Sequence, residues 1–276
     1  MRRITLFLFA ALAVTSVDAE LYQKTDGTIV YPIQYVLGGD HPYTGHNLGP
    51  NADLRDADLT GADLESANLS GADLDDANLS SANLTGSTIS ESQFLSAASV
   101  TGVNLTGHYM SGWDLTGVDL TGATLTGAEL YDADLSGAYM VSADLTDANL
   151  SGAYMVSADL SNADLSNADL SSAILLQAHL EDINLTGANL GGAYMVSADL
   201  SNADLSGAYM VSADLSNADL SNADLSSAIL LQAHLEDINL TGANLGGAYM
   251  VSADLSNADL SGAYMVSADL SNADLS

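Results

Sequence analysis

The chain has no cysteine, and its 276 residues include only three prolines, one tryptophan and four lysines and arginines together. Without cysteine there is neither a disulfide framework nor a lipoprotein acylation site, so a folded state rests on its core alone. So few basic residues exclude a groove that tracks nucleic acid. There is no Gly-rich phosphate loop between strand and helix, no HExxH and no EF-hand loop. Of the four basic residues, Arg2 and Arg3 open the chain, and only Lys24 and Arg55 follow.

What is present is one phrase, A-(D/N)-L-(S/T)-x, repeated without spacers over residues 52–276. Its central apolar residue, position i, recurs every five residues from Leu54 through Ile89 to Phe94, and again from Val100 to Leu275. One extra residue near 95–97 shifts the phase between the two blocks. A period of five fits neither a helix nor a long strand. It fits a coil that turns a corner once per phrase, with positions i and i−2 inward and the other three outward.

These phrases resemble the pentapeptide-repeat family. The resemblance implies an all-β solenoid, a right-handed, four-sided β-helix with four phrases per coil. Residues 52–276 then make about 11 coils, and at ~4.8 Å per rung the rod is ~54 Å long. A single coil buries too little to fold alone, so stability comes from neighbour-to-neighbour stacking.

The ends read differently. Arg2 and Arg3, the apolar run from Ile4 to Val14, and small residues before Glu20 predict a secretory signal peptide over residues 1–19, hence an exported protein, periplasmic or extracellular. The run is too short to span a bilayer, and no membrane span is expected. Residues 20–50 hold all three prolines and read as an N-terminal cap over the first coil. The sequence stops within the phrase at Ser276, so the last coil is expected to be a dimer interface, a surface capped by a partner, or the edge of an incomplete sequence.

The formal net charge is −32. Spread along the rod, that is about one charge per ~1.7 Å, close to the density of duplex DNA. Some members of the family protect DNA gyrase from quinolones by resembling DNA in shape and charge. Resemblance therefore implies, as an alternative function, a DNA-mimicking inhibitor of a DNA-binding enzyme, which conflicts with export because gyrase is cytoplasmic. A plainer reading is that outward aspartates suit the corners and keep a repetitive protein soluble. Stacked carboxylates also suggest weak, distributed calcium binding, with no dedicated cofactor site.

A longer repeat overlies the short one. Residues 151–205 and 206–260 are identical. Eleven phrases are not a multiple of four, so each copy is turned by one face relative to the last. Counting faces places Tyr154, Ile174 and Tyr194 on one outward ladder, beside Val156, Leu176 and Val196. The second copy puts Tyr209, Ile229 and Tyr249, beside Val211, Leu231 and Val251, on the adjacent face. An apolar patch on an acidic rod is a candidate surface for self-association or a protein partner; the competing reading is cross-strand packing that stabilises the ladder.

His179 and His234 fall on different faces and cannot share a metal. His41 and His46 beside Asp40 are too few ligands for a site. Val103, His108, Trp113 and Val118 occupy i−2 positions, where the axis normally holds alanine. Trp113 does not suit a narrow coil, so a bulge is expected near the insertion after Phe94. No desolvated cleft is implied for the many carboxylates, which argues against an enzyme. The sequence therefore predicts an exported, non-enzymatic, acidic scaffold for protein interaction or envelope assembly.

Overall fold

The computed structural model describes residues 50–276, together with the backbone of three short strands, β1 (Tyr22–Gln23), β2 (Ile29–Val30) and β3 (Gln34–Tyr35). The signal peptide expected at 1–19 lies outside the described residues. So does the segment expected to form a cap, apart from those strands. β1 pairs antiparallel with β2, and β3 pairs antiparallel with β4 (Ala57–Asp58). Gln34 and Tyr35 thereby add one strand to the first turn of the solenoid.

From there the chain is a right-handed, four-sided β-helix. Every side carries a ladder of single parallel bridges between i−1 residues one coil apart, for example Asp144 to Asp164 to Asn184 to Asp204. Positions i and i−2 point inward, and Leu160, Ala163, Leu165 and Ala168 are typical of an apolar axis that is fully buried.

The phrase accounts for each of its five backbone donors, as the repeat Ala163–Asn167 illustrates. Ala163 N–H closes the corner on Leu160 C=O at 3.0 Å. Asp164 N–H reaches back one coil to Ala143 C=O at 2.9 Å, while Leu165 and Asn167 N–H reach forward to Asn184 and Thr186 C=O at 2.7 and 3.0 Å. The fifth donor, Ser166 N–H, is bound by the Asp164 carboxylate at 2.9 Å. That is why position i−1 is Asp or Asn: the side chain satisfies the one N–H that the ladder leaves over.

Position i+2 has a separate requirement. Each corner is a type II turn, and i+2 is its left-handed residue, with φ of 60° at Asn162 and 68° at Gly152. Gly, Asn, Asp and Ser fill it at all but two of these corners, where Gln177 and Gln232 stand, and Gly, Asn and Asp are the residues that visit that conformation most readily.

One segment departs from the phrase. Residues Glu91–Ser96 form a single helical turn, α1, entered through a capping box between Ser90 and Gln93. The bridge spacing lengthens by one residue beside it, at Asn78 to Ser99 and Asn83 to Asn104. Phe94 is buried and Trp113 packs on it at 5.9 Å between ring centroids. The tryptophan is half-buried, seated against the core where α1 leaves the regular wall instead of inside the axis. His108 meets Trp113 edge-on at 5.9 Å, and burial lowers its pKa against a smaller upward pull from the Ile89 carbonyl.

Candidate functional site: the aromatic ladders

The predicted patch residues assemble as two ladders. Bridges run Tyr154 to Ile174 to Tyr194, flanked by Asp134 and Asp214, and Tyr209 to Ile229 to Tyr249, flanked by Asn189 and Asp269. The four tyrosines are 45–52% exposed, whereas Ile174, Ile229 and the neighbouring Val156, Leu176, Val196, Val211, Leu231 and Val251 are half-buried. The exposed area of the ladders is thus mainly aromatic, with the aliphatic side chains as its floor.

Local chemistry explains why Tyr or Ile at i−1 travels with Val or Leu at i+1. From Val100 onward, where i−1 is Asp the i+1 residue is Ser or Thr, whose hydroxyl in some repeats also bonds the carboxylate, as Ser161 does with Asp159 at 2.6 Å. Tyr and Ile offer no such acceptor, and Leu176 N–H has no partner among the described residues. Each such rung forgoes about 1 kcal/mol of hydrogen bonding. Cross-strand packing of rings against β-branched neighbours returns a similar amount.

The two ladders meet at a corner. Asn189 is the rung beneath Tyr209, and the turn after it, through Gly191 and Gly192, leads into Tyr194. A Cβ on Gly191 would stand 3.1 Å from Tyr209 Cε1, so the ring lies over that glycine, on the edge the two faces share. Gly246 and Tyr264 repeat the arrangement at 3.2 Å. Sequence reasoning missed this contact, although the signal was there: Gly replaces Ser or Thr at i+1 only beneath these tyrosines. It also missed Tyr109 and Tyr131, whose hydroxyls bond at 3.0 Å with the rings nearly perpendicular.

Around the patches the surface is acidic but internally bonded. Asn184, Asn189, Asn239 and Asn244 each donate an amide N–H to the aspartate one rung earlier, at 3.0–3.1 Å. Asparagine rungs therefore interrupt the stacked carboxylates. Arg55 bridges Asp53 and Asp73 at 2.7 and 3.5 Å, and its pKa is raised chiefly by the hydrogen bond to Asp53. At Asp144 and Asp204 burial pushes the carboxyl up, but bonds from Thr146 and Thr126, and from Ser206 and Thr186, outweigh it and hold both low.

His179 and His234 are exposed on different ladders, each beside a glutamate, Glu181 and Glu236, at 3.4 and 3.3 Å. His41 and His46 lie outside the described residues. Among the described residues no group of three or more His, Asp or Glu is placed to hold a metal ion, and no helix is long and apolar enough to cross a membrane.

A family profile described as pentapeptide repeats matches in 8 copies between residues 51 and 276. No curated protein sequence matches significantly. Among solved structures, the chain is similar to HetL, a pentapeptide repeat protein involved in heterocyst differentiation regulation in Nostoc sp. strain PCC 7120. That likeness has 34% identity, covers 63% of this chain and 87% of that one, and has a TM-score of 0.46. QnrB1, a plasmid-mediated fluoroquinolone resistance protein, is 23% identical over 64% of this chain and 86% of its own, with a TM-score of 0.34. A pentapeptide repeat protein of the Arabidopsis thaliana thylakoid lumen is 35% identical over 41% of this chain and 72% of its own, at a TM-score of 0.24. With its phrase matched over residues 51–90 and 95–276, the chain belongs to the pentapeptide repeat family.

Proposed function

We propose that the chain is an exported, non-enzymatic scaffold that makes protein contacts through the sides of its acidic rod. The observation that carries this reading is the pair of tyrosine ladders joined at the Gly191 corner, three consecutive apolar rungs each, on a surface whose outward positions are mostly Asp, Asn, Ser and Gly. Three consecutive apolar rungs give up side-chain to backbone bonds that the phrase makes elsewhere, and a binding surface gives that substitution a use. Self-association or a protein partner fits it. Nucleic acid does not fit, because like charges repel.

Export rests on the N-terminal segment. Fractionation of cells making the full chain tests it, with the protein expected outside the cytoplasm and shortened by the leader. Retention in the cytoplasm at full length would overturn export and favour the alternative, an acidic rod that occupies the DNA site of a DNA-binding enzyme. Competition with duplex DNA for gyrase is the assay for that alternative.

A further inference from the structure

Regular coils leave no gap between rungs, but the coil that carries α1 does. In the repeating pattern Val100 N–H would donate to Asp119 C=O, and Asp119 N–H to Ala98 C=O. Neither bond is made. The rungs on either side are intact: Leu79 N–H reaches Ser99 C=O at 2.8 Å below, and Leu120 N–H reaches Tyr139 C=O at 2.7 Å above. Next to the gap, side chains of α1 replace lost backbone bonds. Glu91 accepts from Asp114 N–H at 2.7 Å, and the Gln93 amide donates to Leu69 and Ala72 C=O at 2.6 and 2.7 Å. The Val100–Asp119 rung receives no such substitute.

A cavity of about 230 Å³ occupies this opening, walled by Phe94 and Leu95 of α1 and by Val100 and Val118, with Asp119 at the rim. A dry apolar cavity of about 150 Å³ holds one benzene ring, so this space suits one ring with a short arm. Its polar groups are two carbonyls and two N–H groups left by the missing rung, together with the Asp119 carboxylate. The carbonyls of Ala98 and Asp119 have lost their ladder donors, and the Asp119 carboxylate accepts only Thr121 N–H, at 3.0 Å. No lysine or arginine lines it, so an anion would find no counter-charge.

We propose that this open rung is a binding site for a small primary ammonium carrying one apolar ring, the ring against Phe94 and Val118 and the ammonium at Asp119. An ammonium pairs its charge with the Asp119 carboxylate and brings donors to the two carbonyls, whereas a neutral ligand of the same shape lacks the charge and an anionic one carries the wrong sign.

The test uses phenethylamine as the probe at physiological salt, which suppresses diffuse attraction of cations to the rod. Titration calorimetry and the fluorescence of Trp113, the single tryptophan, which packs on Phe94, are both read. Saturable binding with one site per chain is expected, with a change in Trp113 emission. Asp119→Asn keeps an acceptor for Thr121 N–H, as asparagine does at the equivalent positions elsewhere, so folding is retained. It should weaken the probe about fivefold, and 2-phenylethanol should bind the wild type about fivefold more weakly than the amine. Ala98→Phe, which fills the space, should abolish binding. Non-saturable uptake, no binding at all, or equal binding by wild type, Asp119→Asn and Ala98→Phe would each overturn the proposal.

Discussion

The ring of Tyr209 lies over Gly191 of the preceding coil, where an added Cβ would come within 3.1 Å of it and within 3.3 Å of Asn189 Oδ1. The glycine is there for space, not for backbone freedom. Gly191→Ser restores the residue common at i+1 and forces the ring off the corner. Because the ring is exposed and free to swing, the expected stability change is within about 1 kcal/mol. The tyrosine's exposure should rise, measured by its accessibility to nitration against Tyr249 as the internal reference. An unchanged reactivity would mean that the ring does not rest on the corner.

Much of this architecture is readable from the period alone. The inward pair, the outward ladders and the 55-residue register are arithmetic on five and four, so Tyr154, Ile174 and Tyr194 can be aligned before any coordinates exist. The Gly191 contact becomes readable once the coil length is known, since Tyr209 follows it by one coil less two residues. Helix α1 had a local signal in Ser90 and Gln93, a capping box that the surrounding repeats obscure. The open rung at Val100 and Asp119 had none, because it depends on how far α1 displaces the wall.

The i−1 aspartates are structural acceptors before they are surface charges. Asp164→Ala removes the partner of both Ser166 N–H and the Asn184 amide and should cost about 1–2 kcal/mol. Asp164→Asn keeps the first acceptor and removes a charge, and should cost much less. Thermal melts of the two variants decide it. Equal losses would show that charge, not hydrogen bonding, sets the value of the position.

Acid tests the same bonds collectively. Hydrogen bonds from Thr116, Ser256, Ser261 and Ser271 lower the carboxyl pKa values of Asp114, Asp254, Asp259 and Asp269. A carboxyl held below its unfolded value contributes stability above about pH 4 and loses it as pH falls through the folded value. Melting temperature should therefore drop on acidification below about pH 4. A rise would mean that relief of repulsion between stacked carboxylates outweighs the lost bonds. Raising ionic strength at neutral pH separates the two effects, since screening stabilises the rod without protonating any acceptor.

Gln177 and Gln232 hold the left-handed corner at φ of 55° and 57° with a side chain poorly suited to it. Gln177→Asn and Gln232→Asn place there a residue that adopts positive φ readily and already fills other corners, such as Asn162 and Asn167, and should each stabilise by about 0.5 kcal/mol. Gln177→Val should instead cost about 1–3 kcal/mol, because a β-branched residue resists positive φ. Denaturant midpoints at a shared slope are the measurement, and a neutral valine variant would contradict the type II assignment at that corner.

The ladders themselves are tested by Ile174→Asp together with Ile229→Asp. Each change removes the aliphatic rung between two tyrosines, losing up to about 1 kcal/mol of cross-strand packing. Each also supplies Leu176 or Leu231 N–H with the carboxylate that the phrase has elsewhere, worth about the same. The fold should therefore persist at nearly unchanged stability, while a charge now interrupts each aromatic face. If the faces bind a second copy or an envelope protein, sedimentation at matched salt should show association in the wild type and its loss in the double variant. The salt must be matched because acidic rods repel each other over about 10 Å at 0.1 M. Equal association by both proteins would reduce the tyrosines to ladder-stabilising residues and place the contact elsewhere on the rod.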